Sequence, residues 1–255
     1  AFRTGQIDLL WGFGGATYDE AAELKKQCPD VKWSRRLTNT GIAAGRMDKP
    51  ELPFRHLKVR QAMNMAVDKE AYLRDYLKGE GVMIGFPYLP TKGYEKFYTP
   101  LEKMPEEVKM LFRYDPPRAK ELLKEAGYPN GFKTTIYCSI AAADEMSMLK
   151  AYLADVNIDM EIKTLEFGAW FGMWAARSYE EMFFGPLTGI WAPFEQLTTK
   201  KGMYSNIAYI DDPYYEEVAE VIGRDMVKNP DNYFKRMKEE GIYELASAWG
   251  IFMPA

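Results

Sequence analysis

Histidine is nearly missing from this chain: His56 is the only one in 255 residues. A metal site built from several imidazoles is therefore excluded, as is a triad needing a second one. Cysteine is almost as scarce. Cys28 and Cys138 stand 138 − 28 = 110 positions apart with no C-x-x-C pair, which argues against zinc. Two buried free thiols are expected, with a structural disulfide as the alternative. An excess of positive charge is lacking too, since the net charge is −4 without a basic cluster, and this speaks against nucleic acid or an anionic membrane as partner. No run approaches the roughly 18 apolar residues that cross a bilayer. The opening AFRTGQ has no initiator Met, charged n-region or apolar h-region, so it shows no export signal. A chain running from Ala1 to Ala255, ending straight after the apolar WGIFM, is expected to be a piece of something longer.

What the chain has in quantity is aromatic: 17 Tyr, 14 Phe and 6 Trp, or 15%. Core packing accounts for most of them, and the remainder is expected to line a concave binding site.

Periodicity gives the elements. GQIDLLWGF reads as a short strand, TYDEAAELKKQ as a helix, and VKWSRRL (residues 31–37) as a returning strand. The Gly- and Pro-bearing stretch after Leu37 marks a segment junction. Residues 56–77 carry helical periodicity in two parts, Asp68 capping the second. A long aromatic Gly/Pro loop spans 79–100, and loops of that length in compact domains are usually functional. DPPRAKELLKEAGYPNGF then punctuates a helix at both ends. Asp115 caps it, Pro116 takes its first position, Ala119, Leu122, Leu123 and Ala126 form its apolar stripe, and Gly127 ends it. FKTTIYCSI and NIDMEIKTL read as strands around a helix near 143–155. FGAWFGMWAA reads as a helix with Phe167, Trp170, Phe171 and Trp174 on one face, and FFGPLTGIW as a buried strand. Helices near 212–227 and 230–247 and a terminal strand WGIFM complete an α/β or α+β alternation.

Chemistry-bearing motifs fail on inspection. GFGGA lacks the third glycine of a dinucleotide loop and any G-K-[ST], so a plain turn is expected. Ser147 to Lys150 fits S-x-x-K, but neither S-D-N nor K-T-G follows, which leaves a helix surface with a solvated Lys150. Glu180-Glu181 and Asp211-Asp212 are read as solvated charge, and His56 as a surface or capping residue at a helix start. The expectation is a binder, not an enzyme.

Pro53-Phe54, Val59-Arg60-Gln61-Ala62, Ala66-Val67-Asp68 and Tyr114-Asp115-Pro116, followed by Ala126-Gly127-Tyr128-Pro129 and Gly131-Phe132, resemble in order and spacing the peptide/nickel class (family 5) of extracellular solute-binding proteins of ABC transporters. Asn39-Thr40 and Trp191 also stand where that family has them. The resemblance spans nearly the whole chain. It implies an α/β, type II periplasmic-binding-protein-like fold, with this chain as the C-terminal lobe of two. Residues 1–37 would be the end of lobe I up to the hinge, 38–250 the ligand-binding lobe II, and 251–255 the start of a return to lobe I.

The function implied is capture of a small organic solute or oligopeptide-like ligand by hinge closure and delivery to an ABC transporter permease, without cofactor or metal. The expected partners are that ligand, the permease and the missing lobe I. The location would be periplasmic, or extracellular as a membrane-anchored lipoprotein. A ligand-sensing domain of a transcription regulator is the alternative, since such modules share the fold. The expected ligand contacts are Trp191, Phe194, Phe86, Tyr88, Tyr204 and Asn39. Peptide binders of the family place an acidic residue three positions after this tryptophan, to pair with the peptide's ammonium group. Here that position is Phe194, and Glu195 is one step off. Losing a buried carboxylate partner would cost a cationic ligand on the order of several kcal/mol, which favours a face-stacked, less polar or sugar-like solute.

Overall fold

The computed structural model describes residues 4–9, 18–34, 37, 41–186 and 206–255. The chain divides into two compact units, residues 1–36 and 37–255. In the first, helix α1 (Tyr18–Gln27) buries Leu24 and carries Lys25 over the Trp33 ring at 5.3 Å. The strands expected at 5–13 and 31–37 do not form over their described parts. Residues 5–9 and 32–34 are exposed there, so their apolar side chains have no face to bury and no ladder to join.

The second unit begins with strand β1 (Gly41–Gly45), helix α2 (Leu57–Met65) and a short helix α3 (Lys69–Ala71) that runs into a π-helical turn over Tyr72–Tyr76. Asp68 caps α3, its Oδ1 accepting the Ala71 amide at 2.8 Å. Helices α4 (Glu106–Lys109) and α5 (Pro116–Glu125) follow. Asp115 Oδ1 accepts the Arg118 amide at 3.0 Å, Pro116 opens α5, and Gly127 closes it at φ +94°. Then come strand β2 (Phe132–Ser139), helix α6 (Ala143–Ala154), strand β3 (Ile158–Leu165), helix α7 (Phe167–Ala176) and strand β4 (Met182–Pro186). Helices α8 (Pro213–Lys228) and α9 (Pro230–Ala246) finish the order.

The described strands form one mixed sheet in the order β1-β4-β2-β3. β2 pairs in parallel with β3 from Phe132↔Ile158 to Ser139↔Leu165, and with β4 at Ile136↔Met182. β1 runs antiparallel to β4 along the other side. Alternation along each strand sends side chains to opposite faces. Ala43, Ile136, Cys138, Met160, Met182 and Phe184 meet α2, α5 and α6 on one face, with Leu122, Leu123, Leu149 and Leu153 buried among them. Each such leucine contributes roughly 1.5–3 kcal/mol of transfer free energy. Ile42, Ala44 and Phe183 face the other way, into a cluster with Trp170, Trp174, Tyr179, Tyr215 and Trp249.

Residues 251–255, expected to start back toward a first lobe, belong to the larger unit. The expected terminal strand is a single antiparallel bridge, Ala43↔Ile251, after which the Ala255 amide donates to the Val82 carbonyl at 3.0 Å. Both cysteines are free; Cys138 is buried and Cys28 half-buried, so only one fits the expected buried pair. Burial pushes the Cys138 thiol up to about 11, the direction of an inert core sulfur.

Candidate functional site

Three parallel strands, β2, β3 and β4, point their carboxyl ends the same way. Open α/β sheets bind ligands outside such ends, because the loops there diverge and leave backbone groups and side chains unclaimed by the ladder. In this protein the edge carries apolar surface. Ile140, just past β2, is 52% exposed, and Phe167, just past β3, is 53% exposed. Phe171 stands one turn further along α7, its ring 6.2 Å from that of Phe167. The expected single aromatic face of α7 is thus split: Trp170 and Trp174 turn inward and the two phenylalanines outward. The Trp170 Nε1–H donates to the Phe184 carbonyl at 3.0 Å and its ring stacks on Phe183, which fixes α7 against the sheet.

The other end of β4 is bolted down. Arg46 donates to Asp48 through Nε at 3.0 Å and Nη2 at 2.6 Å, and through Nη1 to the Tyr179 carbonyl at 3.0 Å. Its guanidinium lies 3.9 Å from the centre of the Tyr209 ring, and that of Arg177 lies 3.8 Å from the same centre. Tyr179 donates its hydroxyl to the Ile207 carbonyl at 2.8 Å, and the Met47 amide donates to the Ala208 carbonyl at 2.9 Å. Asn206 closes this turn with both side-chain atoms on Ile210.

Of the expected ligand contacts, Asn39, Trp191, Phe194 and Tyr204 lie outside the described residues. Phe86 and Tyr88 are described, and both are interior. Phe86 is 1% exposed and stacks on Phe252 at 5.5 Å and 7°. Tyr88 is 5% exposed, stacks on Phe97 at 5.3 Å, and donates its hydroxyl to Met237 Sδ at 3.9 Å. Their packing covers the ring faces a ligand would need. The aromatic 79–100 loop is, at these two positions, core. Two pairs read as solvated charge are half structural. Glu181 Oε2 accepts from Thr134 Oγ1 at 2.8 Å and from the Thr135 amide at 2.7 Å, and Asp212 caps α8. Glu180 and Asp211 are exposed. His56 is exposed at the start of α2 and makes no side-chain cap. No group of three or more His, Cys, Asp or Glu able to hold a metal occurs among the described residues.

The larger unit thus exposes a partly apolar rim at the carboxyl ends of β2 and β3. A family model, Bacterial extracellular solute-binding proteins, family 5 Middle, matches residues 1–205. The chain belongs to this family. The glutathione-binding protein GsiB of Pectobacterium atrosepticum is 33% identical over 125 residues, 48% of this chain and 22% of that protein. Among solved structures, the ABC transporter-associated periplasmic binding protein DppA of Helicobacter pylori, in complex with the peptide STSA, superposes with a TM-score of 0.75 at 23% identity, covering 94% of this chain and 45% of that one. A mannohexaose-bound periplasmic oligopeptide-binding protein of Thermotoga maritima gives 0.73 at 22% identity, covering 92% and 48%. The chain thus spans about half the length of these solved structures. The fold is that of the type II periplasmic binding proteins, and the chain carries part of it. Family 5 is a family of solute-binding proteins located outside the cytoplasmic membrane, and among the described residues no helix is long and apolar enough to cross a membrane.

In this family 5 chain, three polar residues in and beside the motif blocks are stitches to the main chain. Arg60 donates to the carbonyls of Phe54, Arg55, Ser247 and Ala248 at 2.8–3.2 Å, and burial pulls its guanidinium down to about 10. Asn64 donates to Gly250 O at 2.8 Å and accepts from the Phe252 amide at 3.0 Å. Lys69, 1% exposed, donates to Asn64 O at 2.5 Å and Leu111 O at 2.7 Å, and burial lowers its ammonium to about 7. Sequence reasoning missed all three roles. Polar residues inside an otherwise apolar helical run were the available signal, because a buried polar group must find partners.

Proposed function

We propose that the chain is the C-terminal lobe of the solute-binding component of an ABC importer, with residues 1–37 the end of a first lobe and 38–250 the second. The reading is carried by the family match over residues 1–205. The exposed apolar rim at the carboxyl ends of β2 and β3 supports it, because an unfilled wall is what a partner lobe and an enclosed solute would cover. Trp191, Phe194, Tyr204 and Asn39 are the proposed ligand contacts, and the aromatic character of Trp191 and Phe194 favours a less polar or sugar-like solute over a free peptide amine. Closure of two lobes on the solute would present it to a permease, by contacts made to both lobes in the closed form alone. No covalent step is required, and the protein works outside the cytoplasmic membrane. The named relatives are binding proteins and lend no support to a transcription regulator.

The test pairs native mass spectrometry, to identify the solute co-purified with a two-lobed protein containing this chain, with calorimetry of both forms. The lone lobe is expected to bind at least about tenfold more weakly, since it forfeits half the contacts. Equal affinities would refute the shared cleft.

A further inference from the structure

Helices α8 and α9 form an antiparallel hairpin joined by one residue. Asn229 ends α8 and caps α9, its Oδ1 accepting the Asn232 amide at 3.3 Å. Near this pivot Asp225 accepts from Asn232 Nδ2 and forms an ion pair with Arg236 Nε at 3.4 Å. The open end is fastened differently. Tyr215 donates its hydroxyl to Glu244 Oε1, Tyr214 donates to Glu240 Oε1 at 3.1 Å, and Tyr243 donates to Asp212 Oδ2 at 2.5 Å. Glu244 is 1% exposed and Glu240 5%, and the second oxygen of each has no hydrogen-bond partner among the described residues. A buried carboxylate oxygen without a donor is expensive, and a proton on the carboxyl is the cheapest remedy.

The neighbours do not offer one otherwise. Tyr88 from the 79–100 loop, Tyr214 and Tyr215 from α8, Asp212 ahead of it, and Glu239 and Arg236 on α9 are the titratable groups acting on this pair. Arg236 is the one cation among these; its Nε pairs with Asp225 by charge at 3.4 Å and makes no hydrogen bond to either glutamate. From α4, which also packs on α9, Val108 points inward, Glu106 and Glu107 are exposed, and Lys109 is half-buried without a hydrogen bond to either glutamate. Arg60, beyond the end of α9, is spent on main-chain carbonyls. We propose that the hairpin is a proton-operated latch, closed while Glu240 and Glu244 keep their protons and opened at the Tyr215 end, about Asn229, when they release them to solvent.

Burial moves Glu244 up to about 8 and Glu240 in the same direction. A raised acid is fully stabilising below its unfolded value near 4.5 and loses that contribution as pH rises through its folded value. Thermal unfolding of the full chain between about pH 5 and pH 7 should therefore show a falling Tm, before the buried Lys69, lowered to about 7, contributes in the opposite sense, while Glu244→Gln flattens the fall by at least half. Glu240→Gln should flatten it less. A slope unchanged in Glu244→Gln overturns the latch, since the contribution of Glu145, a buried carboxyl on α6 raised to about 7 by desolvation, is common to both proteins. Should the Gln variants not fold, amide exchange of the wild type decides, corrected for intrinsic chemistry. Protection lost in α8 but kept in α5 as pH rises supports the latch. Parallel behaviour of the two helices overturns it.

Discussion

The two faces of the sheet are built from different materials. Against α2, α5 and α6 the buried side chains are leucine, isoleucine, methionine, alanine, valine and Cys138, with Phe54, Tyr72 and Phe184 as the rings. Against α7, α8 and α9 rings are far more frequent: Phe86, Phe112, Trp170, Trp174, Tyr179, Phe183, Tyr215, Trp249 and Phe252 stand among the aliphatic side chains. The family motifs lie on the first face and its edges. The aromatic surplus that suggested a binding wall lies largely on the second, as core. Aliphatic side chains pack by shape alone, whereas Tyr and Trp bring polar handles that must be satisfied. The second face accordingly holds the Tyr215–Glu244 pair and the Trp170 bond to the sheet, and the first face one such pair, Tyr72 donating its hydroxyl to Glu145 Oε1 at 3.0 Å.

That contrast can be broken by mutation. Trp170→Ala on the aromatic face should cost the most, about 4 kcal/mol, because it empties a large volume and strands the Phe184 carbonyl. Leu123→Ala on the aliphatic face, at 1% exposure, should cost about 3 kcal/mol by cavity formation. If denaturant melts rank these two the other way, polar handles add nothing to the aromatic face. Asp115→Ala removes only a cap and should cost about 1 kcal/mol, a few degrees of Tm.

Much of the second unit was legible, since strong periods read true. α5 with its Asp115 cap and Gly127 stop, the parallel pair β2 and β3, and α6, α8 and α9 all form within a residue or two of their expected ranges. Short apolar runs misled. GQIDL and residues 32–34 are exposed in the structure, and WGIFM forms one bridge, because a strand exists only if something pairs with it. For α7, period alone put four rings on one stripe, but a helix facing a sheet buries a narrower arc, and Phe167 and Phe171 fall off it. The candidate site was least legible. Phe86 and Tyr88 looked available because glycine and proline surround them, yet Phe252 and Phe97, distant in sequence or across the loop, cover their faces. The Tyr215–Glu244 pair lies 29 positions apart and is invisible until the helices are known to fold back.

Arg60 and Asn64 read peptide groups and ignore side-chain identity at Ser247, Ala248 and Phe252. Exchanging those side chains would therefore leave the clasp's own hydrogen bonds in place, while Trp249 and Phe252 stay fixed by their packing and Gly250 by its approach to Ile42. Spacing is another matter: deleting one residue between positions 248 and 252 would present the wrong amide to Asn64, so drift there should proceed by replacement and almost never by insertion or loss.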